Sequence, residues 1–176
     1  MKGFEYEKKY ELQESQIQVF VDRILSLKPI KTYQTSSRDC YYYPKDLSHV
    51  LRYRFGEGKS ELTFKQNIKD NFSLRKELNI DLKQLEQKSD VEDFVVQLSY
   101  LVGPEITKKI EVFDFEDSEI CIYEAVSNNK KLICLEIEAK GTEDLQSASE
   151  IVDKYSRSLS LTKSNEFLVN NFDFFR

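Results

Sequence analysis

Acidic and basic side chains recur at every second position in several segments of this 176-residue chain. Guanidinium and ammonium groups bind phosphate oxygens. Carboxylates bind Mg²⁺ or Mn²⁺, which prefer oxygen ligands and bridge to phosphates. The alternating residues are Glu5, Glu7 and Lys9, Arg52 and Arg54, Lys65, Arg75 and Glu77, Lys109 and Glu111, and Glu136 and Glu138. Together, the two charge types suit the binding of a phosphorylated anion with a divalent metal.

The alternation itself predicts the elements that position these side chains. Phe4, Tyr6 and Tyr10 alternate with the first charges, and period two is typical of a strand with one polar and one apolar face. The sequence predicts about eight strands, at positions 4–12, 31–43, 50–55, 61–66, 72–80, 106–115, 119–126 and 132–139. Short turns between successive strands predict mostly antiparallel pairing.

Apolar residues at helical spacing predict three helices: Ser15 to just before Pro29, Asp81 to Leu101 with Gly103-Pro104 as its stop, and Thr142 to about Ser158. The last residues, 165–175, are predicted to form a final helix or a packed segment.

Two architectures fit the strands. An open sheet with one charged face in water is what the pattern alone favours. In a closed barrel the charges would instead point inward, and eight strands can enclose side chains or one small ligand. The mixture of charges favours the barrel, because buried like charges are unfavourable unless a polyanion and a metal share their cavity. The predicted fold is α+β: a closed eight-stranded antiparallel β-barrel with helices packed outside.

Composition excludes several function classes. The length fits one domain spanning residues 1–176. The net charge of −5 argues against a general nucleic-acid binder. No apolar run approaches the roughly 20 residues of a membrane span, and residues 1–5 do not resemble a signal peptide. Cys40, Cys121, Cys134 and the single His49 form no disulfide framework or zinc motif. We therefore expect a cytoplasmic protein with neither membrane nor nucleic-acid partners.

The order of the charged motifs resembles that of the CYTH family, the triphosphate tunnel metalloenzymes. The matching segments are Glu5-Tyr6-Glu7-Lys8-Lys9 (ExExK), Leu51-Arg52-Tyr53-Arg54, Leu62-Thr63-Phe64-Lys65, Leu74-Arg75-Lys76-Glu77 and Leu135-Glu136-Ile137-Glu138. The resemblance covers nearly the whole chain. It implies a β-tunnel that binds a small-molecule triphosphate or nucleotide, as in thiamine triphosphatases, inorganic triphosphatases and class IV adenylyl cyclases. It leaves a monomer or a homodimer open.

The resemblance also implies a role for each matched residue. Mg²⁺ or Mn²⁺ would be bound by Glu5, Glu7, Glu136 and Glu138. The triphosphate would be bound by Arg52, Arg54, Lys65 and Arg75, by Lys163, which lies where the family often has Lys-Ser-Tyr, and by Lys109 if that lysine points inward. Glu7 and Lys9 would act in catalysis, Lys9 by contacting phosphate or orienting the attacking water.

Two positions depart from the family pattern. Ile110 stands where Arg is expected if Lys108 points inward, and Tyr123 replaces an inward Asp. An inward Lys109 would instead place Ile106 and Ile110 on an apolar outer face. The expected burial of these isoleucines favours this register. Three functions remain open: metal-dependent triphosphate hydrolysis, which is preferred, cyclisation of ATP to cyclic AMP, and binding without catalysis.

Overall fold

The computed structural model describes residues 4–56, 59–68, 71–82, 88–142 and 144–176. Within these ranges the strands are β1 (Phe4–Glu11), β2 (Lys31–Tyr43), β3 (Val50–Gly56), β4 (Lys59–Ile68), β5 (Asn71–Asp81), β6 (Leu101–Asp114), β7 (Ser118–Ser127) and β8 (Lys130–Ala139). The α-helices of the same ranges are α1 (Ile17–Ser26), α2 (Lys88–Gln97), α3 (Leu145–Ser158) and α4 (Asn171–Phe175).

The strands form a closed barrel in the order β1-β5-β4-β3-β2-β6-β7-β8, and each paired neighbour is antiparallel. The predicted closed eight-stranded antiparallel barrel with outer helices is therefore confirmed. No helix of the described residues has the length and apolar character that a membrane crossing requires.

The largest apolar core lies outside the barrel wall, under α1 and α3. Ile24 of α1 and Val152 of α3 are fully buried in one cluster with Leu135 and Ile137 of β8. Burying side chains of this size contributes about 1.5–3 kcal/mol each. Because alternate residues of a strand face opposite sides, this packing turns Glu136 and Glu138 into the barrel. The apolar outer core thus positions the charged interior.

Strand β1 closes the barrel by pairing with β5 on one side and with β8 on the other, and the place where these pairings change is called the seam. Among the described residues, it pairs with β5 over Phe4–Tyr6 and with β8 over Glu7–Glu11. Beyond Tyr6 the C-terminal segment covers the seam: the amide of Phe167 donates to the carbonyl of Lys9 at 2.7 Å. Helix α4 follows, and its Phe172 packs against Tyr41 and Tyr43 of β2. The end of the chain therefore helps to close the wall around the cavity.

The predicted helix from Asp81 to Leu101 is wrong at both ends. Strand β5 continues to Asp81, α2 covers only Lys88–Gln97, and β6 already begins at Leu101. Residues 83–87 of that prediction lie outside the described residues. Gly103-Pro104 falls within β6, opposite a register shift of β2 between Cys40 and Tyr42. A side chain at Gly103 would come within 2.9 Å of the Tyr41 carbonyl oxygen, so this glycine permits a close strand approach instead of stopping a helix.

Candidate functional site

The barrel interior holds a cavity of about 510 Å³. That volume lies within the range of small-molecule sites, about 300–1,000 Å³. Nine of the residues predicted to form the site line it: Glu5, Glu7, Lys9, Arg52, Arg54, Lys65, Arg75, Glu136 and Glu138. The i, i+2 spacing of the charges thus brings residues from β1, β3, β4, β5 and β8 to one enclosed surface.

Four carboxylates form an acidic cluster where β1 meets β8. Carboxylate oxygens of Glu5, Glu7, Glu136 and Glu138 all lie within 4.8 Å of one another. The strand register produces this arrangement, because Glu7 lies opposite Glu138 and Lys9 lies opposite Glu136. Such a set offers only oxygen donors, which is the ligand type that Mg²⁺ and Mn²⁺ prefer.

Two carboxyl groups of the acidic cluster, those of Glu138 and Glu7, lie in surroundings that a bound cation would make more favourable. Burial, together with the carboxylates of Glu5 and Glu136, raises the pKa of Glu138 well above its usual value. In Glu7, the Oε2 atom is buried and has no hydrogen-bond partner among the described residues. A divalent cation would relieve both conditions, so the residues present fit such an ion.

Lys9 lies between two members of the acidic cluster. Its Nζ is 2.5 Å from Glu7 Oε1 and 3.1 Å from Glu136 Oε2. Burial lowers the pKa of Lys9, but Glu136 and the neighbouring charges more than offset it, so the pKa is raised. Burial raises the pKa of the Glu136 carboxyl, but the ammonium of Lys9 more than offsets this effect and lowers that pKa to about 2. Both groups are therefore charged at neutral pH, and Lys9 can donate hydrogen bonds but cannot accept a proton.

A cationic wall faces this cluster from β3, β4 and β5. Lys65 lies 3.1 Å from Glu5 and 2.5 Å from Glu77, and Arg75 contacts Glu7. On β3, Arg52 Nη2 donates to Glu61 at 3.1 Å and to the Thr63 hydroxyl at 3.0 Å. These ion pairs hold the cations extended into the cavity, where an anionic ligand could replace part of each carboxylate contact.

Strand β6 has the opposite register to the one favoured from the sequence. Lys108 is buried and lines the cavity with Ile110, whereas Lys109 is exposed and points away from it. The burial argument was wrong because Ile106 and Ile110 pack inside the barrel, in one cluster with Tyr123. The prediction that Lys109 points into the cavity is therefore wrong, and Lys108 takes the inward position on this strand.

Of two further positions singled out in the sequence, one lies away from the cavity and one lines it as expected. Lys163 begins a short 3₁₀ turn, Lys163–Asn165, is exposed and does not line the cavity. Tyr123 does line it, and its hydroxyl lies 3.3 Å from both Glu136 Oε2 and Asn171 Oδ1, either of which can accept its one proton in a hydrogen bond. Tyr123 therefore makes hydrogen bonds at the place where the family pattern has a charge, and with Ile110 it forms an uncharged part of the wall.

Asp39 is a buried charged residue that was not among the predicted site residues. It is fully buried and accepts two hydrogen bonds from Arg54, from Nε at 2.7 Å and from Nη2 at 2.8 Å. Lys108 Nζ lies 3.1 Å from Asp39 Oδ2. The strand position of Asp39, directly opposite Arg54, follows from the β2–β3 register. A sequence alone does not supply that register, although a charge inside a strand rich in tyrosine was a signal.

No profile of a known protein family matches this chain, and no curated protein does. Solved structures do match. The PH1012 protein of Pyrococcus horikoshii superposes with a TM-score of 0.82 at 19% identity, over 98% of this chain and 99% of that one. HpAC1 from Hippeastrum, described as revealing a dominant triphosphatase activity, superposes with a TM-score of 0.66 at 12% identity, over 99% of this chain and 95% of that one.

A further match shows how broadly the fold is used. The Mediator head module of Schizosaccharomyces pombe contains a chain that superposes with a TM-score of 0.69 at 13% identity, over 89% of this chain and 94% of that one. At such identities the likeness shows the fold alone. Function must therefore be argued from the side chains inside the barrel.

Proposed function

We propose that this protein is a triphosphate tunnel enzyme of the CYTH type that hydrolyses the terminal phosphate of a triphosphate with the help of Mg²⁺ or Mn²⁺. One observation carries the proposal: the acidic cluster and the cationic wall share a single cavity. A purely structural interior would not gain from this arrangement, because burying so many charges costs desolvation energy that ion pairing scarcely returns. The triphosphatase activity given for HpAC1 adds support through a shared fold.

The metal would be held by Glu5, Glu7, Glu136 and Glu138, the members of the acidic cluster. When bound, such an ion neutralises phosphate charge and makes a water molecule a better nucleophile. The raised pKa of Glu138 means that this carboxyl must lose its proton to become a ligand. Binding of the ion should consequently release protons to solution.

The chain's own residues bind and orient the substrate. Arg52, Arg54, Lys65 and Arg75 would donate hydrogen bonds to phosphate oxygens and stabilise the charge that develops on them. Lys9, protonated between Glu7 and Glu136, would hold either the terminal phosphate or the attacking water. Water adds to the terminal phosphorus as the bond to the bridging oxygen breaks, and the products are orthophosphate and the shortened phosphate.

The uncharged part of the wall favours a second candidate function. Ile110 and Tyr123 remove one cation and one carboxylate from the pattern that the resemblance implies. That loss could leave a cavity that binds a triphosphate without turning it over. It could also make room for an organic group beside the phosphates, as ring closure of ATP to cyclic AMP requires. The charged residues named above would serve all three functions.

One assay separates these functions. The protein is incubated with tripolyphosphate, thiamine triphosphate or ATP and with Mg²⁺ or Mn²⁺, and the products are resolved by chromatography. Hydrolysis predicts orthophosphate with no cyclic nucleotide. Cyclic AMP with diphosphate would identify a cyclase instead. Absence of any product, with a melting temperature raised by tripolyphosphate, would establish binding alone.

A further inference from the structure

Asp39 joins two cations that line the cavity from different strands. Both of its carboxylate oxygens are engaged, Oδ1 and Oδ2 with Arg54 of β3 and Oδ2 also with Lys108 of β6. Asp39 itself is fully buried and does not line the cavity, whereas Arg54 and Lys108 do. The Ser37 hydroxyl also donates to Oδ1, at 3.5 Å, and Ser37 lines the cavity. A carboxylate in this position acts on a ligand through the groups that it holds, of which the two cations are the charged ones.

The geometry leaves the rest of the Arg54 guanidinium directed toward the cavity. Asp39 occupies the Nε and Nη2 edge in a bidentate pair, and a quarter of the Arg54 side chain stays exposed. A bidentate pair fixes the plane of a guanidinium, because both donors must point at both oxygens. The remaining donor edge of Arg54 therefore has a defined direction before any ligand arrives.

Lys108 depends on Asp39 in a different way. Its ammonium is surrounded by Asp39 of β2, Arg52 and Arg54 of β3, the ring of Tyr123 at 4.9 Å and Glu136 of β8. Among the described residues, Asp39 at 3.1 Å is the carboxylate in direct contact with it. Without that carboxylate, the more distant Glu136 would be left to oppose two guanidinium groups beside a buried ammonium.

We propose that Asp39 is a positioning residue that orients Arg54 and keeps Lys108 protonated, so that both present donors to the phosphate groups of a ligand. This inference rests on the proposed function for the identity of the ligand. The coupling of Asp39 to Lys108 does not depend on it and can be measured without a ligand.

The direction of the pH effect follows from the surroundings of Lys108. Burial lowers the pKa of its ammonium to about 8, and Arg54 adds to that lowering, while Asp39 opposes it. Lys108 is therefore charged below pH 8 and loses its charge as the pH rises through that value. Removing the negative charge of Asp39 must move this loss to lower pH.

The test is to measure the ionisation of Lys108 in the Asp39→Asn variant. The protein is acetylated with a trace of acetic anhydride across a pH series, and mass spectrometry gives the labelling of each lysine. In the wild type we expect the midpoint for Lys108 near pH 8. In Asp39→Asn we expect it to fall by about one pH unit or more. An unchanged midpoint in that variant would overturn the proposal.

Asp153→Asn is the matched control. Asp153 also pairs with a lysine, Lys8, at 2.7 Å, but this pair lies on the outer side of β1 against α3. The Asp153→Asn variant should leave the pH midpoint of Lys108 acetylation unchanged. If Asp39→Asn does not fold, Arg54→Gln gives the opposite test, because removing that cation should raise the midpoint of Lys108 above its wild-type value. A midpoint that stays or falls in Arg54→Gln would contradict the proposed arrangement.

Calorimetric binding of tripolyphosphate over the same pH range separates this inference from the proposed function. The wild type should lose affinity as the pH rises through about 8, and Asp39→Asn should lose it at lower pH. If the wild type binds no tripolyphosphate at any pH, the proposed function fails, and the labelling midpoints still decide the coupling of Asp39 to Lys108. Equal pH profiles in the two proteins would overturn the positioning role.

Discussion

Replacing Glu7 with Gln is expected to lower metal-dependent triphosphate hydrolysis by about a hundredfold or more, while the barrel stays folded. Loss of a partner that only orients a metal ligand typically costs 10–100-fold, so loss of a ligand should cost at least roughly as much. Glu7 is buried at the centre of the acidic cluster, and its amide replacement would keep the volume but remove the charge.

Two readouts separate a lost metal site from a damaged fold in Glu7→Gln. Calorimetric titration of Mn²⁺ without substrate should show the weakened cation binding directly, and circular dichroism should show an intact barrel. Glu11→Gln is the matched control, because Glu11 lies on the same strand but is exposed and does not line the cavity. Hydrolysis in Glu7→Gln at the rate of Glu11→Gln would remove Glu7 from the metal site.

Replacing Arg54 with Ala is expected to weaken tripolyphosphate binding about ten- to hundredfold. Hydrogen bonds from a charged group contribute about 1.5–3 kcal/mol, and Arg54 is held toward the cavity by Asp39. Arg54→Lys should recover only part of the affinity, since an ammonium cannot make the same bidentate pair with Asp39. Calorimetry with tripolyphosphate measures both variants.

Arg38→Ala provides the comparison for Arg54→Ala. Arg38 lies next to Asp39 on β2, but its side chain is 53% exposed and pairs with Glu105 at 3.3 Å outside the cavity. Its removal should leave tripolyphosphate affinity within error of the wild type. An Arg54→Ala protein that binds as tightly as Arg38→Ala would show that Arg54 does not hold phosphate.

The inward face of a strand could be predicted from the sequence where the two faces of that strand differ in character. On β1 and β8 the charged face and the apolar face are distinct, so Glu5, Glu7, Glu136 and Glu138 could be assigned to the interior before the structure was known. The closed barrel followed from the same contrast, because only a shared interior makes the opposed charges useful.

The inward face could not be predicted from the sequence where a strand carries apolar residues on that face. On β6, Ile106, Lys108 and Ile110 all point inward, so burial of the isoleucines gave the wrong register. The outer face of β6 is covered only in part: Phe113 packs against α1 residues, whereas Lys109 meets solvent. Which stretch of a strand a helix covers depends on long-range packing that a local pattern does not contain.

The role of Asp39 was hidden for a related reason. Its importance comes from contacts with Arg54, fifteen positions away, and with Lys108, which lies on a third strand. Cross-strand partners depend on the register of two pairings, β2 with β3 and β2 with β6. A shift of one residue would have placed Asp39 outside the barrel.

The most direct measurement is the initial rate of orthophosphate release from tripolyphosphate by the wild-type protein as the concentration of Mg²⁺ or Mn²⁺ is raised from zero. The proposed function predicts no release in the presence of a chelator and a saturable rise with metal, reaching a rate that Glu11→Gln shares and Glu7→Gln does not. Release that persists in chelator, or no release at any metal concentration, would contradict metal-dependent hydrolysis in this cavity.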